Sequence, residues 1–63
     1  MFDYINKTYG LNIKKGDRVR YTLLSGSIKE GVVVGVHAGS LKIKMDSDKY
    51  SDIYHPTWNI EYL

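Results

Sequence analysis

The chain has 63 residues, no cysteine, a formal net charge of +2 and eight aromatic residues, six of them tyrosine. That length holds one domain with a small core, since a chain of about 60 residues buries only roughly 60% of the surface it exposes unfolded. Disulfide staples and cysteine-based zinc sites are excluded, and no apolar run approaches the roughly 18 residues of a membrane span.

Charge is unevenly spread. Residues 1–45 carry eight Lys/Arg against three Asp/Glu, and residues 46–63 carry one against four. The N-terminus has no basic segment followed by an apolar one, and the lack of cysteine suits a reducing compartment. A soluble, unprocessed, cytoplasmic protein is therefore expected. So small a core is stabilised either by tight closure or by burial against further copies, which makes a homo-oligomer the expected state.

Residues 1–8, with Phe2, Tyr4 and Ile5, read as an N-terminal arm: a turn of helix, or an irregular stretch laid over a barrel end. From Tyr9 the apolar residues alternate through Leu11 and Ile13, then stop at the turn Lys14-Lys15-Gly16-Asp17. Arg18 to Leu23 has period two, with Val19, Tyr21 and Leu23 on one face and Arg18, Arg20 and Thr22 on the other. Leu24 to Ile28 reads as an exposed loop.

Lys29 to His37 is the predicted central strand. Val32, Val34 and Val36 fall on one face, Val33, Gly35 and His37 on the other, with Gly31 and Gly35 as bend or bulge points. A turn at Ala38-Gly39-Ser40 leads into Leu41–Met45, where apolar and basic residues alternate. Asp46 to Lys49 is a polar turn, Tyr50 to His55 a fourth strand, Pro56 to Asn59 a tight 3₁₀ turn, and Ile60 to Leu63 a last short strand. The prediction is an all-β chain, one small five-stranded barrel over residues 1–63 with a 3₁₀ turn before its final strand.

Lys14-Lys15-Gly16-Asp17-Arg18-Val19 followed by Gly31-Val32-Val33-Val34-Gly35-Val36 resembles the opening of an SH3-like barrel of the Tudor/KOW kind. The resemblance covers nearly the whole chain and implies that fold. The chain is also similar to the plasmid-borne type II dihydrofolate reductases, themselves SH3-like barrels, at Gly16 to Arg20, Gly31 to Gly35 and Ile53-Tyr54. That likeness implies a tetramer with one shared pore. Where the family reads Val-Gln-Ile-Tyr, this chain has Ser51-Asp52-Ile53-Tyr54, and Tyr21-Thr22 replaces a basic pair. The fold and the tendency to assemble carry over, and the reductase reaction ranks as the weakest reading.

With the second strand between the first and third, the outward residues Arg18, Arg20, Lys42 and Lys44 form a basic stripe over a floor of Val33, Gly35 and His37. Lys14 and Lys15 sit at one end. Phosphate is the matching ligand chemistry, because guanidinium groups grip its oxygens bidentately and cation–phosphate contacts are salt-dependent. Tyr54, His55 and Trp58, with Pro56 fixing the backbone between them, are the rings expected beside the stripe. They suit base stacking, and equally the anchoring of a protein interface.

Other constellations point nowhere. Two histidines are too few for a metal site. Asp46-x-Asp48 departs from a calcium loop at its fifth and sixth positions, Tyr50 and Ser51, and has Thr57 where a bidentate Glu belongs. Asp52 and His55 lack the Ser or Cys context of an acid–base couple. No catalysis, metal or cofactor is expected. The expected function is a non-enzymatic module for nucleic acid or a free or cyclic nucleotide, similar in style to small phage-encoded counter-defence proteins, which would place it in the host cytoplasm. The alternative is an SH3/Tudor-like protein-interaction module or an inhibitor of a host protein.

Overall fold

The computed structural model describes residues 2–63. One helix, α1 (Phe2–Tyr9), precedes five strands: β1 (Arg18–Thr22), β2 (Ile28–His37), β3 (Ser40–Met45), β4 (Asp52–Tyr54) and β5 (Ile60–Tyr62). All pair antiparallel in one open sheet of order β4-β3-β2-β1-β5, so β2 does lie between β1 and β3. The sheet curls strongly. Tyr54 of β4 meets Tyr21 of β1 edge-on across the concave side, with ring centroids 5.0 Å apart, although two strands separate them in the sheet. The result is an all-β, barrel-like fold.

The concave side carries the core. Val19, Val33, Leu41, Ile43 and Met45 are fully buried there, joined by Ile13 and by Ile5 of α1. The N-terminal segment is a real helix, and Ile5 fills one end of the core. Gly10 (φ 68) ends the helix in the left-handed conformation, and the Leu11 N–H donates to the Asn6 carbonyl at 2.9 Å, a Schellman-type stop. The Asn6 side chain then acts like a neighbouring strand. Its Oδ1 accepts from the Ile13 N–H at 2.7 Å and its Nδ2 donates to the Ile13 carbonyl at 3.0 Å. Residues 11–13 are thereby tied to the helix without joining the sheet, and Tyr9, whose spacing suggested extended chain, closes the helix.

β2 and β3 form a two-residue hairpin in which Ala38 (φ 49) and Gly39 (φ 82) both take positive φ, the conformation whose twist matches the flanking strands. At Gly31 a Cβ would stand 2.5 Å from the Lys44 carbonyl oxygen and 2.7 Å from the Met45 Cα, so only glycine lets β2 and β3 approach there.

A bulge corrects one expectation. Val33 opposes Ile43, but Gly35 opposes Lys42, so Val34 is the extra residue on β2. It reverses the strand's parity. Val33 is buried while Val32 lies on the outer face between Arg18 and Lys44; beyond the bulge Gly35 opposes the outward Lys42, as expected. Two further differences are local. β4 is limited to three residues, and Pro56–Asn59 is a turn without a 3₁₀ helix, in which Asn59 takes a positive φ of 58. Among the described residues, no helix is long and apolar enough to cross a membrane.

Candidate binding surface

The convex side of the sheet divides into two halves of different chemistry. In one, Arg18 and Arg20 of β1 are held by carboxylates from distant parts of the chain. Arg18 grips Asp46 through both terminal nitrogens, at 3.0 and 2.7 Å, and reaches Glu30 at 3.5 Å. Arg20 pairs with Glu30 at 3.3 Å and Glu61 at 3.4 Å. The register explains this: Glu30 and Glu61 oppose Arg20 from either side. The hydrogen bond to Arg18 holds the Asp46 carboxyl below its usual range, with Arg18 and Lys44 adding their charges, and the same contact raises the Arg18 guanidinium. The arginines are thus cross-links, and the acidic C-terminal third of the chain supplies two of their three partners.

The other half keeps its cations free. Lys42 and Lys44 of β3 have no carboxylate partner among the described residues, nor do Lys7, Lys49 and Lys15 in the turn before β1, whereas Lys14 pairs with Asp17 and Lys29 with Asp48. Lys44 opposes Val32; Lys42 opposes Gly35 on one side and Ile53 on the other. The Lys15 turn continues β1 along β2, since the Gly16 N–H donates to the Val33 carbonyl at 2.8 Å and the Val33 N–H to the Asp17 carbonyl at 2.9 Å. Gly35 carries no side chain, so relief here is low. No cavity or cleft opens among the described residues.

The predicted rings separate. Tyr54 turns to the concave side, half-buried against Tyr21, and burial, then Asp48 and Asp52, push its hydroxyl above the usual tyrosine value. His55 and Trp58 come together, stacked nearly parallel (10°) with centroids 4.1 Å apart. The turn between them is built for this. Pro56 is buried, its carbonyl accepts a short hydrogen bond from the Tyr62 hydroxyl, and the Thr57 N–H donates to His55 Nδ1 at 3.1 Å. Tyr9 abuts the His55 ring edge-on at 5.4 Å. Trp58 remains 68% exposed. His37 ends β2 opposite Ser40, exposed, at the same end of the sheet.

Of the eight predicted site residues, His37, His55 and Trp58 lie towards the end of the sheet at the β2–β3 turn, with Lys42 two residues along β3 from that end and Lys44 four. Arg18 and Arg20 are engaged elsewhere, and Tyr54 belongs to the concave side. Tyr9, which frames the stack, has no sequence signal, because its contact depends on a helix too short to read. The acidic residues disperse: Asp46 binds Arg18, Asp48 binds Lys29, and the Asp52 carboxylate accepts from the Ile53 N–H at 2.8 Å. That last bond occupies a donor on an edge strand that would otherwise be open to pairing. Compared with known protein families, with curated proteins and with solved structures, the chain matches none.

Proposed function

We propose that this chain is a non-enzymatic binding module that takes a phosphate-bearing partner, nucleic acid or nucleotide, on the lysine half of its convex face. One observation carries the reading: Lys42 and Lys44 stand unpaired beside Gly35 and Val32, while the neighbouring arginines are already neutralised. Unpaired ammonium groups over low relief meet an anion with no internal partner to displace. Arg18 and Arg20, by contrast, would have to give up Asp46, Glu30 and Glu61 first, so they serve the frame and not the ligand.

A second reading has its own support. Leu24, Ile28, Tyr50, Ile53 and Trp58 are large and exposed, and Tyr and Trp anchor protein interfaces. A protein partner is accordingly the alternative.

Thermal shift at low salt separates the two. The probes are a single-stranded oligonucleotide, a duplex, mononucleotides and cyclic dinucleotides. A probe at about 100 times its Kd raises Tm by roughly 10–20 °C in a domain of this size. The rise should appear in the wild-type chain and be lost in the double variant K42E/K44E. No shift with any of these probes would overturn the phosphate reading in favour of the protein one.

A further inference from the structure

We infer that the partner is a flexible single strand of nucleic acid and not a free nucleotide, a refinement that rests on the phosphate-binding reading above. Shape is the first ground. A small molecule is held by a concave site that buries most of its surface, whereas Lys42 and Lys44 stand on the convex side of the sheet beside Gly35 and Val32. A polymer binds a flat surface, because it distributes its contacts along its length.

Spacing is the second ground. Beyond the last ladder pair of β3 and β4, Leu41 opposite Tyr54, the next residues are Ser40 and His55. Lys42 lies two residues from that level and Lys44 four. At about 3.3 Å per residue they stand roughly 7 and 13 Å along the strand from the His55 end. Along the strand axis the His55 level, Lys42 and Lys44 therefore follow in that order. One nucleotide, with its single base, engages one end of this track; a strand of several reaches both.

The stack itself favours an unpaired base. His55 covers one face of the Trp58 indole at 4.1 Å, and the 68% exposure of Trp58 leaves the rest of the ring open. Pro56, the Tyr62 hydrogen bond and the Thr57–His55 bond hold this platform in place before any ligand arrives. A base splayed from a single strand can lie on it, whereas the bases of a duplex are already stacked on one another. Sequence preference is weak on such a surface, since every base has a π-face.

Trp58 is the only tryptophan, so its fluorescence reports on the platform directly. The probes are oligothymidylate dT10, dTMP, a cyclic dinucleotide and a ten-base-pair duplex. Saturable quenching by dT10 is expected, with log K falling against log salt with a slope of about −1.4, as two phosphate contacts on a single strand require. In K42A/K44A that slope should flatten towards zero. Anisotropy of labelled dT10 should show W58A binding roughly 5- to 150-fold weaker. W58F, which keeps a ring in the turn, should retain most of the affinity and serves if W58A does not fold. If dTMP, the cyclic dinucleotide or the duplex bound as tightly as dT10, the single-strand inference would fall and the phosphate reading would stand. If none of the four bound, both would fall.

Discussion

Single residues show where the charge and the rings are committed. The Tyr62 hydroxyl, bonded to the Pro56 carbonyl, is pushed by burial up to about 12 from an ordinary value of 10.0. A tyrosine that ionises later in the folded state stabilises the fold below pH 10 and loses that contribution as the pH rises through 10 towards 12, where the unfolded chain releases its proton first. The melting temperature should therefore drop across that window, and drop less in Y62F. At neutral pH Y62F should itself cost about 1 kcal/mol through the lost hydrogen bond, measured by urea unfolding. Asp46 has the opposite sign. Arg18 depresses its carboxyl, so its contribution is present above the usual carboxylate value of 3.8 and fades as acid titrates it below that value. The melting-temperature gap between wild type and D46N should be full at pH 6 and vanish in strong acid.

At the scale of elements, the hairpin of β2 and β3 depends on Gly31. Adding one methyl group at Gly31→Ala drives a Cβ into the β3 backbone, and overpacking of this kind costs typically 1–3 kcal/mol, measurable by denaturant unfolding. The same hairpin marks the limit of what is legible in the sequence. Period-two alternation reveals β1 and β3, and the Ala38-Gly39 pair reveals the turn, because these depend on local chemistry alone. Gly35 marks a bulge in this strand, and one falls beside it, but its exact place at Val34 is illegible: every residue from Val32 to Val34 is valine, so nothing in the string tells which one is extra. Parity errors follow directly from that. The helix escapes for a different reason. Eight residues are too few for a period of 3.6 to declare itself, and what holds α1 is Ile5 in the core and the Asn6 clamp on Ile13, both tertiary.

For the molecule as a whole, the segregation of charge along the chain is an assembly device first. Folding brings Asp46 and Glu61 from the acidic end onto Arg18 and Arg20, across 28 and 41 residues, and leaves Lys42 and Lys44 without a carboxylate partner among the described residues. The candidate site was half legible for this reason. Which cations share a face can be read from alternation, but which of them are already neutralised depends on strand neighbours that no local pattern announces. R20A should accordingly lower the melting temperature and leave dT10 binding unchanged, whereas K44A should leave the melting temperature unchanged and weaken dT10 binding.

The most direct test is a backbone amide NMR titration of the wild-type chain with dT10 at low salt. Shifts confined to Gly35, Lys42, Lys44 and the 55–58 turn, with Arg18, Arg20 and the Leu24–Ile28 loop unmoved, are the predicted result. Shifts centred on β1 or on that loop, or no shifts at all, would contradict it.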